Sequence, residues 1–332
     1  MKKILNDPFK YVDEMLEGMC LAHPELYRQT GESGRVIVRA SDTGEGKVGI
    51  VSGGGSGHLP IFTGYVGKGL LDACAIGDVF ASPSVEQMAD AMRAADGGAG
   101  VLRLYGNYGG DIMNFDMAGE MLEMEDINST TVLLADDVAS APKNEREKRR
   151  GVAGMVYAFK IAGAAAEQNK SLEDVTRIAQ KTADACHSVG AALTSCTVPQ
   201  AGKPTFEISE EDMEMGMGIH GEPGVWRGNL KKADNIANEM VDMLLADINA
   251  VSGARMSVLV NSLGATPQEE LYILYRIVKE RLESVGVKIV MPLVGRYATS
   301  MEMTGVSFTF CELDDELEDL LLEPAHCAFW TV

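Results

Sequence analysis

Val48-Gly49-Ile50-Val51-Ser52-Gly53-Gly54-Gly55-Ser56-Gly57-His58-Leu59-Pro60 is the stretch that decides the fold of this chain. A short β-branched run opens into a glycine-rich turn. In open α/β sheets ligands collect at the carboxyl ends of strands, in turns of this kind. The turn is not a Walker A loop, because no Gly-Lys-Ser/Thr follows. Nor is it a GxGxxG fingerprint, because His58 stands where the last glycine would be. Four glycines within residues 53–57 exceed what a plain strand-to-helix turn needs. Their backbone N–H groups suit an anion- or hydroxyl-binding nest.

The same grammar recurs downstream. Gly98–Tyr105 reads as a strand that runs into Gly106-Asn107-Tyr108-Gly109-Gly110-Asp111, with a helix from about Met113 to Met124. Asp111 near a helix start is either an N-cap or a carboxylate aimed into the crevice at the sheet end. Thr130–Ala135 is a third strand and ends in Asp136-Asp137. Ser82–Ala95, opened by Ser-Pro-Ser and striped by Val85, Met88, Ala91 and Met92, is a helix. Strands alternating with helices specify an α/β fold with a parallel unit.

Working outward, residues 8–29 read as an amphipathic helix that breaks at His23-Pro24, with His23 structural. Val36–Val38 is a short strand, and Gly64–Gly77 a glycine-punctuated apolar segment around a core Cys74. Glu145–Arg150 is a charged run, most simply a solvated loop. An Ala-rich helix ends near Gln168, and a further helix spans Ser171–Cys186, with an acid at the third position of a capping box. His187 has no carboxylate beside it in sequence and reads as structural. The composition then shifts between about 187 and 204. This divides the chain into an N-terminal α/β domain, 1–190, and a C-terminal α/β domain, 191–332. The second half reads as a strand at Thr205–Ile208, a helix at Ala233–Ile248 and a strand at Ser257–Asn261. A helix at Gln268–Ser284, strands at Val287–Val290 and Val306–Phe310, and an acidic helix at Asp314–Leu322 complete it.

Glu214-Met215-Gly216-Met217-Gly218-Ile219-His220-Gly221-Glu222-Pro223-Gly224 places one of the five histidines among four glycines and a proline. It is either a tight turn carrying an incidental His or a shaped loop holding an imidazole against main chain. Gly216–Gly221 satisfies GxGxxG. However, it follows the acidic Glu210–Glu214 run instead of a hydrophobic strand, so a dinucleotide site is discounted.

The chain has 332 residues, 46% apolar and 23% charged, which is globular composition. With 49 Asp+Glu against 29 Lys+Arg the net charge is −20. Such a surface disfavours nucleic acid as a partner. The six cysteines form no CxxC pair, which points to free or buried thiols in a reducing compartment and away from a disulfide framework or zinc site. No signal peptide or membrane-spanning run is evident, so a cytoplasmic protein without membrane or metal partners is expected. His58, Asp111 and His220 remain as chemistry-bearing residues in glycine-rich turns. A neutral imidazole is a competent nucleophile towards a carbonyl and a competent base near neutral pH, so the set suits a small polar carbonyl compound.

Taken together, the blocks at Val51–His58, Asn107-Tyr108, Gly110-Asp111, Arg149–Ala153, Met217–Gly224 and Asn261–Pro267 resemble the DhaK subunit of dihydroxyacetone kinase over nearly the whole chain. The resemblance implies two α/β domains with substrate at their junction. It implies that His220 adds to the substrate ketone as a covalent hemiaminal, that His58 is the general base, and that Asp111 contacts the reacting hydroxyl. Gly55, Ser56 and Gly57 would form the loop around substrate. It implies further that no nucleotide binds this chain. ATP or ADP with Mg would sit on a separate DhaL-like partner, family members drawing on ATP or, through a phosphotransferase system, on phosphoenolpyruvate. A homodimer is also implied.

Two positions depart from the best-known members. Gly106 replaces a substrate-contacting lysine, and Leu59 replaces a glutamate. The first removes a cationic donor and frees volume at a substrate-binding position. Dihydroxyacetone is therefore the first expected substrate and a tetrulose such as erythrulose the second. DhaK paralogues also act as ligand-sensing co-activators of transcription regulators, which is the non-catalytic alternative.

Overall fold

The computed structural model describes residues 2–41, 43–248 and 252–332. Its first sheet contains β1 (Tyr27–Thr30), β2 (Val36–Arg39), β3 (Gly49–Ser56), β4 (Ala73–Val79), β5 (Val101–Gly106) and β6 (Ser129–Leu134). They lie in the order β1-β2-β4-β3-β5-β6. The four strands β4, β3, β5 and β6 run parallel, while β1 and β2 add an antiparallel edge. Alternation along the strands assigns the faces. Ile50, Leu102, Leu104, Val132 and Leu134 join one core, whereas Val51, Val101 and Tyr105 join another. The second core is covered by α2 (Val85–Ala95) and α3 (Gly109–Glu123), following α1 (Tyr11–Ala22) in the chain. Helix α2 opens with a full capping box, Ser84 with Gln87.

The other face is covered by α4 (Gly154–Glu167) and α5 (Leu172–Ala185). Every residue of α4 from Gly154 to Ala166 is buried. A helix this apolar belongs inside a protein, and its one buried charge, Lys160, donates to Leu320 O at 2.8 Å. Helix α4 lies between this sheet and the second one, touching β3 and β5 on one side and β7 and β13 on the other. The second sheet contains β7 (Cys186–Ala192), β8 (Asp212–Met215) and β9 (Trp226–Asn229). After α6 (Ala233–Asp247) it continues with β10 (Arg255–Ser262), and after α7 (Gln268–Ser284) with β11 (Lys288–Ile289), β12 (Leu293–Gly295) and β13 (Gly305–Leu313). The order is β11-β10-β13-β7-β8-β9, with β12 also on β10. It is antiparallel from β10 to β9, and α6 and α7 cover its far face. The last helix, α8 (Asp315–Leu322), packs on α4.

Several expectations change. The N-terminal helix stops at Ala22, and residues 27–30 are an edge strand. Pro24 ends the helix, and Tyr27 is then free to bury its ring and donate its hydroxyl to Gly64 O at 3.0 Å. The stretch Ser52–Ser56 is not a turn; β3 continues through it to Ser56. No strand forms at 205–208, and β7, β8, β9 and β12 were not foreseen. The charged run 145–150 is not wholly solvated, because Arg149 is buried in a two-pronged ion pair with Asp247 at 2.7 and 2.9 Å. His187 also has a carboxylate after all: its Nδ1 lies 2.7 Å from Asp247 Oδ2, a partner supplied by the fold from 60 residues away. All six cysteines are free. Among the described residues no helix is long and apolar enough to cross a membrane.

Candidate functional site

The site forms where the end of β3, the start of α3 and the β8–β9 connection meet. Residues 53–56 extend β3 with no side chain larger than serine, and the reason is crowding. A Cβ on Gly55 would stand 2.7 Å from Ala81 N and 2.8 Å from Phe80 Cα. Gly57 has φ +105°, a backbone that L side chains rarely adopt, and it turns the chain so that His58 faces inward. The loop is then stitched to the second half of the molecule. Met301 N donates to Gly57 O at 2.7 Å, and the Thr299 hydroxyl donates to Leu59 O at 3.0 Å.

His58 is 3% exposed. Its Nδ1 lies 2.7 Å from Thr299 O; a carbonyl only accepts, so Nδ1 carries the proton. The lone pair is on Nε2, which is buried with no partner among the described residues. Phe80 stacks on the ring at 4.9 Å between centroids. Burial first, and the neighbouring His220 second, push its pKa down to about 3, so the ring is neutral at physiological pH.

His220 sits in the connection between β8 and β9. Gly216 (φ +82°) opens this turn, and Gly221 N donates to Gly218 O at 3.0 Å. Glu222 folds back on the histidine. One carboxylate oxygen accepts from His220 N at 2.9 Å, and the other lies 2.9 Å from His220 Nδ1. Burial would raise the Glu222 carboxyl, but its hydrogen bond with His220 wins and holds it down at about 2. An ionised carboxylate only accepts, which puts the proton on Nδ1 of His220 and the lone pair on Nε2. The two imidazoles stand 4.7 Å apart at 79°, and Phe80 and Tyr108 flank His220 at 5.2 and 4.8 Å.

Asp111 occupies the first turn of α3 and is 6% exposed. Its Oδ1 has no partner among the described residues. Burial raises the carboxyl to about 6, opposed by a hydrogen bond from Ser82 and by His220. The structure thus brings the His58 and His220 rings together and sets Asp111 within electrostatic reach of His220, with Gly55, Ser56 and Gly57 leading into His58. Gly106 ends β5, and the room it would free is not empty: a Cβ there would stand 3.2 Å from the Tyr108 ring. Leu59 lines a cleft of about 570 Å³, shared with Ser56, Gly57, Thr299 and Tyr11.

Sequence reasoning missed Glu222, Phe80, Tyr108 and Thr299 as parts of the site. His-Gly-Glu is a legible signal for the first, since a two-residue turn lets the carboxylate reach the ring. Phe80 and Thr299 come from distant segments and leave no local trace. The GxGxxG at 216–221 follows a strand, β8, contrary to expectation, but it leads into the antiparallel β9 and not into a helix. It therefore lacks the helix N-terminus that a pyrophosphate needs.

Comparison with known proteins adds the following. The family described as the Dak1 domain matches residues 17–329. A Listeria innocua protein named PTS-dependent dihydroxyacetone kinase 2, dihydroxyacetone-binding subunit DhaK, is 44% identical over 100% of both chains. An L-erythrulose kinase of Pectobacterium atrosepticum is 42% identical over 98% of this chain but only 55% of its own length. Among solved structures, the native dihydroxyacetone kinase of C. freundii superposes with a TM-score of 0.90 at 34% identity, covering 99% of this chain and 60% of that one. A dihydroxyacetone kinase operon co-activator, DhaQ, superposes with a TM-score of 0.89 at 32% identity, over 96% and 97% of the two chains.

Proposed function

The chain belongs to the Dak1 family, that of the dihydroxyacetone-binding DhaK subunits, and from that premise we propose that it holds a short ketose covalently on His220 for phosphorylation by a partner. The observation that carries this reading is the pair of unshared acceptors near His220: His58 Nε2 and Asp111 Oδ1, both buried and both without a partner among the described residues.

The chemistry follows from the proton positions. Nε2 of His220 attacks the carbonyl carbon of dihydroxyacetone, a C–N bond forms, and the C=O π pair moves to oxygen. The oxygen takes up a proton from solvent and the Nδ1 proton is released on the Glu222 side of the ring, which leaves a neutral hemiaminal. Glu222 is suited to the interval because its negative charge stabilises the transient imidazolium. A terminal hydroxyl of the bound ketose then faces His58 and Asp111. As that oxygen attacks phosphorus, its proton goes to this pair. The phosphoryl group would come from a DhaL-like subunit carrying ATP or ADP with Mg; this chain is proposed to be inactive alone and to act as a homodimer. Polyols such as glycerol lack the electrophilic carbon and would not be held.

Mixing the chain with a DhaL-like subunit and a phosphoryl donor tests the reading. His58→Asn should still bind ketose while turnover falls about 10²–10⁴-fold, the usual span for a general base. Unchanged turnover would remove His58 from the mechanism. A tetrulose is the second reading, favoured by the 42% identity to a protein named as an L-erythrulose kinase. The DhaQ likeness favours a co-activator instead, and product formation in the same assay separates that role from a kinase.

A further inference from the structure

Tyr108 carries a third orphaned polar atom in the same site. Its phenol oxygen is buried and has no hydrogen-bond partner among the described residues. Its ring packs T-shaped on His220 at 4.8 Å. Burial keeps the phenol protonated far above neutral pH, so it is a donor in search of an acceptor.

The charged groups that act on it are Glu222, Asp137, Arg150 and Asp136, and each is engaged elsewhere. Glu222 spends both oxygens on His220. Arg150 donates to Asp137 at 2.8 Å and to Gly216 O at 3.1 Å. Asp137 also accepts from Ala139 N, and Asp136 accepts from Val152 N, Gly154 N and Ser188. A buried hydroxyl left unpaired is costly, and native structures rarely keep one without a use. The ring lies close against residue 106: a Cβ there would meet two of its carbons at 3.2 and 3.3 Å, so the ring would have to give by a few tenths of an ångström.

Resting on the reading above, we infer that the Tyr108 phenol donates to the ketose hydroxyl on the side of the carbonyl away from His58 and Asp111. The site then has one acceptor pair for the reacting hydroxyl and one donor for the other. It selects ketoses hydroxylated on both sides of the carbonyl, dihydroxyacetone and tetruloses alike, over hydroxyacetone, which has a methyl group on one side.

The test compares dihydroxyacetone with hydroxyacetone, by calorimetric affinity, on the full wild-type chain and on Tyr108→Phe. The wild type should prefer dihydroxyacetone. Tyr108→Phe should weaken dihydroxyacetone about 3–10-fold, the worth of one neutral hydrogen bond, and leave hydroxyacetone unchanged. Retained hydroxyacetone binding also shows that the variant is folded. Gly106→Ala, which crowds the ring and leaves the hydroxyl in place, should narrow the preference in the same direction. Equal losses for both ligands, or no change for either, would overturn the inference while leaving covalent binding intact. A wild-type chain that binds neither would overturn the covalent reading as well.

Discussion

At the scale of single residues, the site is organised by how burial treats each titratable group. Asp111 is the costly one. Its carboxyl titrates at about 6 in the fold, against 3.8 when exposed. Between those values the folded state holds more protons than the unfolded state, so stability falls as pH rises, and above 6 the full penalty persists. That penalty is on the order of 3 kcal/mol. Asp111→Asn should therefore raise the melting temperature by a few degrees at pH 7–8, with the gain vanishing near pH 4, while turnover collapses. The wild-type rate should climb with pH through about 6 as the carboxylate forms. A variant less stable at pH 8 would contradict this account of the residue. His58 runs the other way. Its folded value near 3 lies below the ordinary 6.5, so its contribution is present above about 6.5 and is lost as pH falls towards 3. Asp111 was legible as a carboxylate at a helix start. Its orphaned oxygen was not, because that depends on Ser82 and on burial by distant segments.

At the scale of elements, glycines decide what may touch what. The sequence marked residues 53–57 as special but read the feature as a turn. Strand β3 in fact runs through, because Phe62 and the Phe80 backbone press where side chains would stand. The Ala-rich helix was legible from its composition, and its burial follows from its small apolar side chains, Lys160 being the one buried charge. Gly163 on α4 shows how tight that contact is: a Cβ would come 2.5 Å from Leu70 N and 2.6 Å from Gly69 O. Helix propensity favours Gly→Ala by about 1 kcal/mol. Overpacking against main chain costs about 1–3 kcal/mol and prevails here, since backbone does not swing aside as a side chain does. Gly163→Ala should lower stability in urea unfolding. Gly18→Ala on α1, where nothing lies within 4 Å, should raise it by about 1 kcal/mol. The reverse order would mean that α4 is less tightly seated than described.

At the scale of the whole molecule, the site exists only because the two sheets share helix α4. His58 leaves the first sheet and His220 the second, and the loop around His58 is hydrogen-bonded to residues 299 and 301. Parallel strands, helices and glycine turns were readable from local pattern. The antiparallel second sheet was only partly so, since β8 carries two acids among four residues and β7 follows a helix with no punctuation between them. Pairings such as Arg149 and His187 with Asp247 span from 60 to 98 residues, and no local rule reaches that far. On the proposed reading, both imidazoles serve the ketose and a partner chain supplies the phosphate. The most direct measurement is the intact mass of the native chain with dihydroxyacetone, for wild type, His220→Ala and His187→Ala. The account predicts a gain of one whole ketose without loss of water in the wild type and His187→Ala, and none in His220→Ala. An adduct that survives in His220→Ala, or a mass gain short by one water, would contradict it.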